Sequence, residues 1–378
     1  IIVGLDALIA IPLAKLRAEN KPVKFALINF VFIGVNIGLN LFFLAYCLPK
    51  YQAGEINWLV STFYNPETGV GYVFIANLIA SAVRFLMVSP QLFKLKLDFD
   101  RVLWKKMIWY AFPLLIAGLA GIVNETLDRV MLKWMLFDDL GEVRTMTQLG
   151  IYGACYKLSI VITLCIQAYR YAAEPFFFDH AKQSDSRHTY ARMLHVFFAF
   201  VMLVFLTVTL FIDVFKYLIP NEAYWVGLDI VPVLLLANVF LGVYFNLSVW
   251  YKLTDKTMFG SYIAITGALI TVVLNFLLIP ALGFRGSAYA TLACYFGMAA
   301  ISYYFGQKHF KVPYNMAKLI GYFSLAIALF LVNELVSFPN LVVATSARMV
   351  MIIIFALVIT YFEFYKSKID AVANRNRQ

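Results

Sequence analysis

Charge is scarce in this sequence. Only 14% of its 378 residues are Asp, Glu, Lys or Arg, against ~25% in an ordinary soluble domain. Long polar stretches are missing too. The longest segment between apolar runs, about 49–69, leaves no room for a folded extramembrane domain. Cys47, Cys155, Cys165 and Cys294 all lie in or at the ends of apolar runs, without C-x-x-C or metal spacing. They read as small hydrophobes. His180, His188, His195 and His309 fall in or beside basic loops, and no catalytic or metal constellation can be assembled from them. No GxxxxGK[ST] phosphate loop occurs, so ATP is not the direct energy source on this chain, and no cofactor is expected. The opening residues lack a basic region followed by an A-x-A-like site, so they are not expected to be a secretory signal peptide.

What remains is apolar. The chain is 62% hydrophobic and 17% aromatic, with a mean hydropathy of +0.80. This composition predicts an all-α, polytopic membrane protein. Apolar runs long enough to cross a bilayer predict ten full spans: 25–48, 70–92, 109–136, 149–178, 193–217, 228–250, 257–280, 286–306, 317–336 and 342–363. Residues 1–13 are apolar but too short for a span, so they read as the remainder of a helix preceded by others, and Pro12–Pro22 as a short basic loop.

The net charge of +10 does not point to nucleic acid, because the basic residues sit in short loops between spans. Twenty-one of the 31 fall in one set of alternate loops and three in the other. This asymmetry places the first set and the C-terminus in the cytoplasm. Asp98 and Asp100 form a candidate carboxylate pair, but their basic loop reads better as a solvated linker. Asn36 and Asn40, like Gly34 and Gly38, share one face of a span, a spacing that favours helix packing over a lumen.

Ionisable residues inside spans are costly and normally face a polar interior. The run Asn124-Glu-Thr-Leu-Asp-Arg129 places Glu125, Asp128 and Arg129, with Lys133 a turn further, toward one side of a helix. They read either as a cluster on a transport pathway or as an i,i+4 pair near the outer interface, with Lys133 snorkelling. Arg129 and Lys157 lie equally far from the centre of their hairpin loop, which predicts one depth for both and a pairing with Glu125 or Asp128. Arg84, Arg170 and Asp6 are expected at a second level, nearer the cytoplasm. The competing readings there are a pair between Arg170 and Glu174 and a snorkelling Arg84. Asn124, Asn238, Asn246, Tyr152, Tyr156 and Tyr169 could meet sugars, although helix packing is the plainer role.

The stretch Asn124–Arg129, with Leu149-Gly-Ile-Tyr-Gly-Ala154, Tyr156-Lys157 and Gln167-Ala-Tyr-Arg-Tyr-Ala-Ala-Glu-Pro-Phe176, resembles bacterial lipid-linked oligosaccharide flippases. These are Wzx-like polysaccharide-biosynthesis proteins of the multidrug/oligosaccharidyl-lipid/polysaccharide exporter superfamily. Pro12–Pro22 and Gly283-Phe-Arg-Gly-Ser-Ala-Tyr-Ala290 are similar to family segments as well. The resemblance implies a MATE-like bundle of two six-helix lobes whose first three helices have no counterpart here. Residues 1–92 would complete the first lobe, 93–108 link it, 109–306 form the second, and 307–378 add a helix pair and a basic tail.

It also implies a transporter, not an enzyme, of the bacterial inner membrane. Its cargo would be polyprenyl-diphosphate-linked oligosaccharide, flipped from the inner to the outer leaflet among membrane lipids. Arg84, Arg129, Lys157 and Arg170 would bind substrate. Asp6, Glu125, Asp128 and Glu174 would couple or gate, with Na+ or H+ as the coupling ion. The alternatives are a cation-coupled multidrug exporter and a membrane enzyme acting on lipid-linked glycans. The first would want an acidic lumen and the second a large outer loop with clustered charge.

Overall fold

The structure, a computed structural model, describes residues 1–55, 57–92, 99–180, 186–336, 338 and 340–365. Among the described residues there are helices and turns but no strand. The chain divides into two compact units, Ile1–Asp100 and Arg101–Gln378. Nine helices among the described residues are long and apolar enough to cross a membrane.

The first unit holds α1 (Ile2–Ala18), α2 (Pro22–Gln52) and α3 (Gly71–Leu92). Helix α1 runs further than the apolar pattern suggested. The expected loop at 12–22 contracts to a turn at Glu19–Lys21, with Asn20 at φ 53° and Pro22 opening α2. Pro at the first helical position costs no hydrogen bond, which suits so tight a turn. Residues Leu41–Cys47 of α2 are wound as a π-helix. There Phe43 stacks on Tyr72 at 4.3 Å between ring centres, and Tyr72 on Tyr64 at 5.2 Å. At the opposite end Ile9, Leu13 and Leu16 pack with Ile28 and Val88.

The second unit begins with a helical run, Arg101–His180, broken where Gly141 adopts φ 73°. A left-handed φ suits glycine, and here it separates α4 (Arg101–Asp138) from α5 (Gly141–His180). The Thr145 hydroxyl fastens the turn by donating to the Leu136 carbonyl at 2.9 Å. Then follow α6 (Ser186–Leu210), α7 (Glu222–Leu253, entered through a 3-10 segment), α8 (Met258–Leu282), α9 (Phe284–His309), α10 (Met316–Leu335) and α11 (Leu341–Glu363). Helix α6 is the enclosed one. Its apolar window is 67% buried against 17% for α4, so α6 carries the core while α4 is left to line open space. Phe205, Met202 and Leu206 of α6 meet Ile162 and Ile166 of α5 and Leu234, Leu235 and Val239 of α7.

Nine of the ten expected spans coincide with membrane-length apolar helices. The tenth, 286–306, forms within α9, whose 26 residues are long enough but too polar to belong to that set. The reason is its place between α7 and α8, where Gly286, Ser287, Ala288, Thr291 and Ser302 are buried against protein. Helices in lipid associate through close backbone approach and interhelical hydrogen bonds, which small and hydroxyl residues provide.

At the α8–α9 turn, Gly283 sits at φ 57°, and a Cβ on Gly286 would stand 2.5 Å from the Leu278 carbonyl oxygen. That neighbour is backbone and cannot yield cheaply. Gly286→Ala is therefore expected to cost about 1–3 kcal/mol, the usual range for overpacking. Gly321→Ala on α10, which meets nothing within 4 Å, should leave stability unchanged or raise it. Melting temperatures of the two variants in detergent check the contrast, and equal shifts would contradict it.

Candidate functional site

Among the cavities of the second unit, two are lined by the residues that the charge pattern singled out. The first, of about 620 Å³, is walled by α4 and α5 with Tyr224 of α7. Its lining includes Glu125, Arg129, Tyr156 and Lys157. Equal spacing from the hairpin turn thus does bring Arg129 and Lys157 to one place. The expected pairing of Lys157 with Glu125 or Asp128 is absent: among the described residues Lys157 makes no ion pair. Arg129 turns back along its own helix. One guanidinium N–H donates to the Glu125 carbonyl at 3.1 Å, and the group lies 4.3 Å from the Tyr156 ring centre. A cation over a tyrosine face is held without being neutralised, so its charge stays available to the cavity.

Asp128 departs from the one-sided cluster. Three residues advance a helix by ~300°, so Asp128 falls on the flank beside the Glu125–Arg129 face. Only 1% of it is exposed. The Tyr152 hydroxyl donates to one carboxylate oxygen, and the Arg129 backbone N–H donates to the other at 2.7 Å. On α9 the Thr291 hydroxyl donates to the Ser287 carbonyl at 2.9 Å. On α8 and α9, Thr271 Oγ1, Asn275 Oδ1 and Ser287 Oγ are buried without a hydrogen-bond partner in the described residues. Asn275 and Thr291 stand equally far from the Gly283 turn, which sets them at one level.

The second cavity, of about 420 Å³, lies among α4, α5, α7, α8 and α9. It is lined by Asn124 and Glu125, by Arg170, and by Tyr244, Ser248, Tyr251 and Lys252 of α7. Glu125 lines both cavities. Arg170 packs over the Phe245 ring at 4.3 Å and meets Glu174 one turn on, at 3.5 Å. The i,i+4 pair is therefore real, but it is not the whole arrangement. Lys252 reaches the same Glu174 oxygen at 2.9 Å from another helix. Lys252 had been counted with the basic loops; α7 continues to Leu253 and carries it inward. Seventy-eight residues separate it from Glu174, so no local spacing could have announced the contact.

In the first unit, Arg84 of α3 donates to Asn29 Oδ1 at 2.6 Å and lies 4.8 Å from the Phe32 ring centre. Asp6, the expected counter-charge, instead accepts from Ser81 at 3.1 Å, one turn away. Asn36 donates to Asn77 at 3.5 Å and Asn40 to Asn36 at 2.9 Å, so these amides join Arg84 in a polar face between α2 and α3. Elsewhere the amide and tyrosine candidates mostly pack. Asn238 donates to the Ser159 carbonyl, Tyr169 to Asn246, and Asn124 to the Ala264 carbonyl.

A scan of family models and a search of curated proteins find no match to the chain. Among solved structures it is similar to the lipid II flippase MurJ in its inward closed conformation. The TM-score is 0.51 at 16% identity, over 94% of this chain and 84% of MurJ. At that identity the likeness speaks for the fold, a polytopic helical bundle of the MurJ kind.

The Asp128–Tyr152 contact yields a stability test. Tyr152→Phe removes a donor from a buried carboxylate, and a hydrogen bond to a charged group is worth about 1.5–3 kcal/mol. The variant should lose stability by that order, and Asp128→Asn in the same background should recover part of it. A double-mutant cycle in detergent that returned zero coupling would contradict the contact.

Proposed function

We propose that the chain flips a lipid-linked anionic glycan, polyprenyl-diphosphate-linked oligosaccharide, from the inner to the outer leaflet. Its place would be a bacterial inner membrane, its C-terminus cytoplasmic, and its product a precursor for surface polysaccharide. The observation that carries the reading is the lining of the two cavities. Four cations (Arg129, Lys157, Arg170 and Lys252) face them with a single carboxylate, Glu125. A charge at the bilayer centre costs at least about 2.5–3.5 kcal/mol, and a diphosphate carries more than one. Arginines already held over aromatic rings lower that cost at the moment of transfer, since they bind phosphate oxygens in a fixed fork and remain ionised. Tyr156, Tyr244 and Phe245 offer ring faces to sugars.

The fold likeness to a lipid II flippase supports the same class of work, transport of a lipid-linked substrate. A drug exporter for cationic cargo is disfavoured by the cation excess. In the first unit Arg84 is proposed as a further substrate contact. Residues 1–92 and 109–306 are proposed as the two lobes, and 307–378 as the appendage. Asp128, with the orphan oxygens of Thr271, Asn275 and Ser287 on the neighbouring helices, has the donor chemistry for a proton or a hard monovalent cation. Those residues are proposed as the coupling group, and Glu125, Asp6 and Glu174 as gating carboxylates.

The test is complementation in cells lacking their own lipid-linked oligosaccharide flippase. The wild-type protein should restore surface glycan, while Arg129→Ala and Arg170→Ala should reduce it at least roughly tenfold at equal membrane levels, the loss of one charge-assisted contact. Surface glycan that stays absent with correctly inserted wild-type protein would overturn the proposal. Full transport by both variants would demote the cavities to packing features.

A further inference from the structure

Lys252 and Glu174 are left over by a scheme built on arginines alone. We infer that Lys252 and Arg170 form a two-cation clamp for a single diphosphate, with Glu174 as a built-in competitor that keeps the clamp loose enough to let go. The inference rests on the flippase reading and names the group within it that sets affinity.

One Glu174 oxygen is shared by two cations from two helices, 2.9 Å from Lys252 Nζ and 3.5 Å from Arg170 Nη2. A carboxylate oxygen between an ammonium and a guanidinium makes the contacts that a phosphate oxygen would make between the same groups. Both cations line the 420 Å³ cavity, and Glu174 is not among the lining residues. An anion entering through the cavity therefore meets the two cations from the open side, with the carboxylate off that wall. The longer contact is to Arg170, whose guanidinium is also supported by the Phe245 ring. Arg170 is thus the cation a phosphate can most readily take over.

The charge count favours competition over a simple staple. Two cations against one carboxylate leave a net positive charge at the cavity wall. The Tyr244 and Tyr251 hydroxyls line the same cavity 3.4 Å apart, and Ser248 donates to the Phe245 carbonyl at 2.7 Å. The tyrosine pair uses one O–H between its members and leaves the other for a phosphate oxygen. Lys252 is 18% exposed and Glu174 33%, so both are enclosed by protein yet within reach of the cavity. A transport site must bind well enough to load and weakly enough to release. A carboxylate that returns to its two cations as the diphosphate leaves meets the second requirement by giving up part of the affinity. An ordinary structural pair holding α5 to α7 would show the same distances, so the decision lies with affinity.

The experiment measures binding of farnesyl diphosphate and farnesyl monophosphate to the full chain purified in detergent, with thermal stability recorded for each variant. Lys252→Ala should weaken farnesyl diphosphate roughly tenfold or more, the worth of one charge-assisted bond, with a smaller loss for the monophosphate. Lys252→Arg should restore most of it. Glu174→Gln should tighten the diphosphate several-fold even if the protein melts earlier. Affinity that is unchanged or weaker in Glu174→Gln, alongside a lower melting temperature, identifies a staple and overturns the inference while leaving the flippase reading intact. Wild-type protein that binds neither probe counts against the flippase reading itself.

Discussion

The constraint on which the rest of this structure depends is the cost of charge in hydrocarbon. Several ionisable groups within the helices of the second unit have a partner or face a cavity. Asp128 is sealed in and held by Tyr152 and a backbone N–H. Glu174 takes two cations, and Arg129 leans on a tyrosine face. Between α10 and α11 Lys318 and Tyr322 hold Glu363 at 2.7 and 2.8 Å, and Arg348 of α11 bonds Asp213 at 3.1 Å. For the buried Glu363, removing the lysine would leave an uncompensated buried charge, a loss of about 3–5 kcal/mol. Arg129 and Lys157 stand apart in this company. Neither has a carboxylate partner among the described residues, and both face open space.

Under the proposed function, that difference divides structural charge from working charge. Helix α6 carries the core and bears no intramembrane pair with the cavity residues. Helices α4, α5 and α7 present the cations. Under the proposed function the two cavities offer an anion two places to rest, each made of a cation and an aromatic face: Arg129 beside Tyr156 and Arg170 beside Phe245. Such stations are individually weak, and a path of weak sites is what a carrier needs to pass a headgroup along.

Much of this was legible in the sequence, for identifiable reasons. Hydropathy located the spans because lipid imposes length and apolarity on any helix exposed to it. The α4–α5 hairpin could be counted from its turn, which is why Arg129 and Lys157 were placed together. Helix α9 was legible as a span despite being less apolar than the others, because protein, not lipid, surrounds its hydroxyls. Asp128 was misplaced by one flank because a three-residue step was treated as a shared face. Lys252 read as a loop residue, since nothing local shows that α7 continues past Trp250 or that Glu174 waits on another helix. Arg84 had no acidic neighbour on its own helix, and its partner, Asn29, is an amide fifty-five residues away. Contacts between helices distant in sequence are set by packing, and packing leaves no periodic trace.

The central claim is that these cavities carry a lipid-linked diphosphate across the bilayer. It is tested most directly in proteoliposomes loaded with a fluorescent polyprenyl-diphosphate-linked oligosaccharide and exposed to a quencher on the outside only. Vesicles containing the protein should lose nearly all of the fluorescence, because inner-leaflet lipid is brought out. Quenching that stops at the outer-leaflet fraction, as in protein-free vesicles, would contradict the account.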